Sequence, residues 1–223
     1  MIVSQRSPAS IGLALAGGGP SGSIYEIGAI RALDEAIEGL DLNDLDIYVG
    51  VSAGAFITAC LANELTTAQL CRAIVKDEPG EHPFVPENFV TPAFGHYLRS
   101  GMRVPRLLAG AIRDLLRRPM DTNLLIPMTR LSRALPVGIF DNEPIRAYLA
   151  KIFSMHGRTD DFRRLRRKLV VVATDLDSGR PVRFGEPGID HVPISTAVQA
   201  STALPVLYPP VTIEGRSYVD GVL

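Results

Sequence analysis

The chain has 223 residues, 46% of them hydrophobic and 21% charged, with a formal net charge of −1. That composition suits one globular domain over 1–223 with its own core. It excludes a general pull toward nucleic acid, and no run of about 18 apolar residues offers a membrane-crossing helix. The first ten residues are polar and lack the apolar stretch of a secretory signal, so a cytoplasmic location is expected. The two cysteines, Cys60 and Cys71, lie in helical-looking segments and read as buried small hydrophobes rather than as a disulfide.

In chain order, Ile11–Ala16 reads as a short buried strand that runs into Gly17-Gly18-Gly19-Pro20-Ser21-Gly22. A helical pattern follows, with Ile24, Ile27, Ile30, Ala32 and Leu33 expected on one face. Asp46–Val49 is a second strand, and Ala55–Ala62 a helix buried by composition. Between them stands Gly50-Val51-Ser52-Ala53-Gly54. Strand, glycine loop, helix, strand, turn, helix is a βαβα order, which implies a parallel sheet covered on both faces. Thr66-x-x-Gln69 is a capping box opening a helix to about Lys76.

The regular alternation then breaks. Asp77–Thr91 is proline-rich, and 104–118 can form a basic amphipathic helix, with Leu107, Leu108, Leu115 and Leu116 between arginines. This stretch is either a lid or membrane-surface helix or an ordinary helix packed on the core. Asp141-Asn142-Glu143-Pro144 starts another helix, carrying Ile145, Tyr148, Leu149 and Ile152. The basic run from Arg163 to Lys168 reads as a solvated surface. Lys168–Leu176 is the clearest buried strand, Asp177-Ser178-Gly179 a turn, and Pro181–Phe184 an edge strand. Pro193–Ser201 is a helix broken at Ala203-Leu204-Pro205, and 211–219 a small hairpin that delivers Asp220-Gly221.

Gly50-x-Ser52-x-Gly54 has a physical reason. A serine on a sharp strand-to-helix turn presents its hydroxyl above the sheet. The glycines let strand and helix close together, and a helix N-terminus favours developing negative charge. The glycine loop has two readings. Gly17-x-Gly19-x-x-Gly22 fits a dinucleotide fingerprint, yet no acidic residue follows at the end of the second strand. Alternatively, Gly17, Gly18 and Gly19 offer backbone N–H groups to an oxyanion, on the same sheet edge as Ser52; this reading is favoured. A nucleophilic serine needs a base. Of the four histidines only His191 is a candidate, while Asp220, on a turn followed by Gly221, is better placed. No cluster of His, Cys or carboxylate has metal-ligand spacing.

These blocks together resemble the patatin-like phospholipase family. The glycine loop Gly17–Gly22, the elbow Gly50–Gly54, and the closing block from Ala200-Ser201-Thr202-Ala203-Leu204-Pro205 to Tyr218-Val219-Asp220-Gly221 stand in the family's order. The resemblance implies a three-layer α/β/α sandwich with a mostly parallel central sheet. It implies a Ser–Asp dyad with Ser52 as nucleophile and Asp220 as its base, and Gly17, Gly18 and Gly19 as oxyanion donors. The implied reaction is serine-dependent hydrolysis of a lipid acyl ester, phospholipid or another, with no cofactor. Contact with a membrane surface would run through 104–118. Two residues depart from the pattern: Ser21 replaces the usual Arg or Lys, and Val222 the usual Gly or Ala. Residues 80–160 read as a variable, partly helical insertion. The family domain normally extends past a position like Leu223, so a C-terminal part is expected to be missing. A catalytically silent lipid-binding member and a general serine esterase are the alternatives.

Overall fold

A computed structural model of the chain describes residues 10–75, 138 and 140–223. The proline-rich 77–91 and the basic stretch 104–118 lie outside the described residues. Among the described residues, six strands form one mixed sheet: β1 (Gly12–Leu15), β2 (Ile47–Val51), β3 (Lys168–Asp175), β4 (Arg180–Phe184), β5 (Val211–Ile213) and β6 (Arg216–Asp220). Their order is β1-β2-β3-β6-β5, with β4 also paired to β3. Among the described residues, five α-helices accompany them: α1 (Gly19–Ala36), α2 (Ala53–Ala62), α3 (Thr67–Leu70, continued by a π-helical turn over Cys71–Val75), α4 (Glu143–Phe153) and α5 (Ile194–Ser201).

The α/β architecture is the one expected. Its sheet is parallel through β1, β2 and β3, where the connections carry helices, and antiparallel where β4, β5 and β6 join. Short turns force that second direction, because only antiparallel neighbours can be joined by a tight hairpin. Glu214 and Gly215 make such a turn between β5 and β6, with φ of 51° and 80°. On β3, residues pointing to both faces of the sheet are buried, as expected of a central strand.

Helix α2 is buried along its whole length. Asn142 and Pro144 open α4, which buries Ile145, Leu149, Ile152 and Phe153. Asp160 accepts hydrogen bonds from the Ser195 N–H and Oγ, both at 2.7 Å, and so caps α5. The Thr66–Gln69 capping box forms as the spacing predicts. Cys60 is buried, which pushes its thiol up to about 12, and neither cysteine is in a disulfide. The basic run lies at the surface in ion pairs: Arg163 with Asp161, Arg166 with Glu64, and Arg167 with Asp44. Among the described residues no helix is long and apolar enough to cross a membrane.

Helix α1 corrects one expectation. Ile27 and Ile30 are buried, but Ile24 and Leu33 are 49% and 45% exposed. At about 100° per residue, these two sit roughly 90° to either side of the face centred between Ile27 and Ile30. They flank the buried stripe rather than belong to it. Ile30→Ala is therefore expected to lower unfolding stability by about 2–5 kcal/mol, and Leu33→Ala by less than about 1 kcal/mol. Urea denaturation of both variants checks this, and equal losses would refute the assignment.

Candidate active site

Strand β2 ends at Val51 and α2 starts at Ala53, so Ser52 alone makes the turn. Its backbone has φ 54° and ψ −121°. A residue with a Cβ enters that region only under strain, about 1–3 kcal/mol. Two glycines let the turn close. A Cβ on Gly50 would stand 2.4 Å from Ala55 Cα, and one on Gly54 would stand 2.5 Å from the Leu15 carbonyl oxygen. The Gly54 N–H uses that closeness, donating to the Ala16 carbonyl at 3.1 Å. This bond ties the elbow to the end of β1, where the glycine loop begins.

Ser52 is 7% exposed. Its Oγ donates to Asp220 Oδ2 at 2.7 Å. Its N–H donates to Ser201 Oγ at 2.8 Å, and Ser201 Oγ donates in turn to the Val172 carbonyl at 2.6 Å. Asp220 ends β6 opposite Ala173 of β3, and its own N–H donates to the Ala203 carbonyl at 3.0 Å. The second carboxylate oxygen, Oδ1, accepts the Val222 N–H at 3.0 Å. Asp220 is 2% exposed. Burial pushes its carboxyl above the usual aspartate range, while the bonds from Ser52 and the Val222 N–H pull it down. Gly221 is needed where it stands, since a Cβ there would meet the Val172 carbonyl oxygen at 2.3 Å.

The glycine loop lies against this pair. Gly18 caps α1 and Gly19 begins it, with no side chain capping the helix. Among the described residues, the N–H groups of Gly17, Gly18 and Gly19 donate to no acceptor. Gly22 folds back on the loop, so that a Cβ on Gly18 would stand 2.7 Å from Gly22 Cα. A Cβ on Gly17 would stand 3.1 Å from Ser52 Cβ. The start of the loop, at Gly17, thus lies close to a hydroxyl that is hydrogen-bonded to a carboxylate. Chemically, such a set can attack a carbonyl carbon and hold the resulting oxyanion.

Gly17, Gly50, Ser52, Gly54, Asp220 and Gly221 therefore meet in one place, at the C-terminal end of β2. His191 does not join them; its Nε2 stands 2.7 Å from Glu214 Oε1 at the surface. The roles of two residues went unread in the sequence. Ser201 holds the Ser52 backbone; the sequence places it in the closing block but gives it no role. Glu26 brings a carboxyl from α1 to the Ala16 backbone; burial pushes it above the usual range and the Ala16 hydrogen bond opposes that. Among the described residues, no group of three or more His, Cys, Asp or Glu side chains is arranged to hold a metal ion.

A family model, Patatin-like phospholipase, matches residues 13–223. No curated protein matches the chain significantly. Among solved structures, VipD from Legionella pneumophila is similar with a TM-score of 0.52 at 20% identity, over 96% of this chain and 46% of VipD. The type III effector ExoU gives 0.44 at 19% identity, over 87% of this chain and 39% of its own. ExoU from Pseudomonas aeruginosa in complex with SpcU gives 0.44 at 18%, over 91% and 40%. The likeness to VipD is one of fold, and the chain spans less than half of that protein's length. The family match takes in the glycine loop, the Ser52 turn and Asp220 together, and the chain belongs to the patatin-like phospholipase family.

Proposed function

We propose that this chain is a serine-dependent lipid acyl hydrolase, acting on phospholipid or another acyl ester as a single domain over 1–223. The carrying observation is the 2.7 Å hydrogen bond from Ser52 Oγ to Asp220 Oδ2, between residues 168 apart in sequence. Family membership supports the lipid substrate class.

In this mechanism Ser52 Oγ attacks the ester carbonyl carbon as its proton passes to Asp220 Oδ2. The carbonyl oxygen takes up the negative charge, and the N–H groups of Gly17, Gly18 and Gly19 hold it. Collapse breaks the bond to the alcohol oxygen, which leaves with the proton from Asp220. Water then attacks the acyl-Ser52 carbonyl and gives its proton to Asp220. A second collapse releases the carboxylic acid and returns the proton to Ser52 Oγ. The Ser52 N–H takes no part in holding the oxyanion, because Ser201 Oγ already accepts it. Contact with a membrane surface through 104–118 would bring the site to its substrate.

Labelling with a fluorescent fluorophosphonate tests the reading. Wild type is expected to label, Ser52→Ala not at all, and Asp220→Asn at least about a hundredfold more slowly. A folded wild type that never labels would instead fit a lipid-binding member without hydrolytic activity. The pH profile carries a second expectation. Asp220 must be ionised to accept a proton, and burial raises its pKa. Activity should therefore rise with pH along an acid limb whose midpoint lies above about 4, the ordinary aspartate value. A midpoint at or below that value would show that the hydrogen bonds from Ser52 and the Val222 N–H outweigh burial at Asp220. Ser201→Ala leaves a buried N–H and a buried carbonyl unpaired, so it is expected to lower stability by about 1–3 kcal/mol. It should also slow labelling more than it weakens substrate binding; an unchanged labelling rate argues against Ser201 as a support of the nucleophile.

A further inference from the structure

Ala16 stands between β1 and the glycine loop, and both of its backbone groups are held. Its carbonyl accepts the Gly54 N–H at 3.1 Å, which joins it to the elbow. Its N–H donates to the carboxyl of Glu26, from α1. Residues four apart lie on one face of a helix, and Gly22, Glu26 and Ile30 follow one another at that spacing. Gly22 lies against the loop, since a Cβ on it would stand 3.9 Å from the Gly17 carbonyl carbon. Ile30 is buried in the core, and Glu26 is the polar side chain between the two. Its place there is costly. Glu26 Oε2 is buried and, among the described residues, has no hydrogen-bond partner, and a buried polar atom left unpaired opposes folding. The bond to Ala16 is what that cost maintains.

The residue after Ala16 is Gly17, where the loop comes closest to the Ser52 side chain. A shift of the Ala16 peptide would therefore turn the N–H groups of the loop relative to the hydroxyl, without touching either Ser52 or Asp220. We propose that Glu26 is a positioning residue of the reaction: by holding the Ala16 N–H from α1, it fixes the direction in which the glycine loop leaves β1 and so aims the loop's N–H groups at the developing oxyanion. This rests on the hydrolase reading above. Glu26 acts here through one backbone bond and does not touch the reacting atoms. What it must supply is an acceptor oxygen rather than a charge.

The test uses Glu26→Gln, which keeps an acceptor oxygen at the same reach and drops the charge, and Glu26→Leu, which has no acceptor. Hydrolysis of p-nitrophenyl butyrate gives kcat and KM for each, and urea denaturation gives their stability. Oxyanion donors act on the transition state rather than on bound substrate, and a misplacement of about 1 Å can cost about a hundredfold. Glu26→Leu is therefore expected to lower kcat by about 10- to 100-fold with KM within about twofold of wild type, and Glu26→Gln to keep kcat within about threefold. A merely structural role would lower the urea midpoint of Glu26→Leu and leave the kcat of the folded protein unchanged. A folded Glu26→Leu whose kcat stays within about twofold of wild type overturns the proposal, and so does a Glu26→Gln that loses as much as Glu26→Leu. Glu26→Ala takes the place of Glu26→Leu if the latter does not fold. Fluorophosphonate labelling of wild type is run alongside. Without labelling or hydrolysis by wild type, the hydrolase reading falls and takes this one with it; with both present and kcat unmoved by the variants, only the assignment of Glu26 falls.

Discussion

On β3, Val172 pairs with Val51 of β2, and the next residue, Ala173, pairs with Asp220 of β6. Two neighbouring positions on one strand therefore bring together the end of a parallel strand and the end of an antiparallel one. Ser52 follows Val51 directly, so its hydroxyl meets the Asp220 carboxylate where the two pairings adjoin. The Val172 carbonyl accepts from Ser201 and leaves no room for a side chain on residue 221. A slip of one residue in either pairing would turn side chains to the opposite face and separate the hydroxyl from the carboxylate. The buried side chains on both faces of β3 hold that register, since each is in the wrong place after a slip.

The same site works against stability. Ser52 sits in a strained backbone conformation, and Asp220 has a carboxylate that burial disfavours in its charged form. Folding here opposes ionisation: the raised pKa stabilises the protein while Asp220 is protonated, and that contribution is lost as pH rises through it. The surroundings compensate with fixed hydrogen bonds. Asp220 is held through its N–H and both carboxylate oxygens, and Ser52 through its N–H and Oγ. Dense bonding around a strained and desolvated pair is what pre-organisation requires, because the groups must not relax when substrate is absent.

Much of this was legible in the sequence, for local reasons. The elbow could be read because Gly50 and Gly54 flank a serine between an apolar strand and a buried helix. The hairpin carried Glu214-Gly215, and the helix of 143–153 carried Asn142 and Pro144 at its start. Asp220 was harder, because Asp-Gly is a common turn and nothing in its own neighbourhood points 168 residues back to Ser52; its assignment rested on resemblance. Ser201 was legible only as a member of the family's closing block, without a role. Its role is a bond from a side chain to backbone on other elements, and no local pattern encodes such a bond. On α1, the apolar residues outnumbered the buried ones, since periodicity names a stripe but not its width. The direction of β4 and β6 came from short connections, which weigh against an all-parallel sheet.

The pairing of a hydroxyl with a carboxylate, with no imidazole between them, has an electrical consequence. When a neutral histidine is the base, attack on an ester creates a cation and an anion that must be kept apart. With Asp220 as the base, the site begins with one negative charge and passes it on. The carboxylate would become neutral as the oxyanion forms, so the total would not change. In the proposed mechanism only the location of the charge would move, from the end of β6 to the N–H groups at the start of α1. Such a transfer needs no surrounding water to stabilise a new ion pair. In the proposed mechanism, a buried site could therefore run it without the penalty that charge separation would meet there.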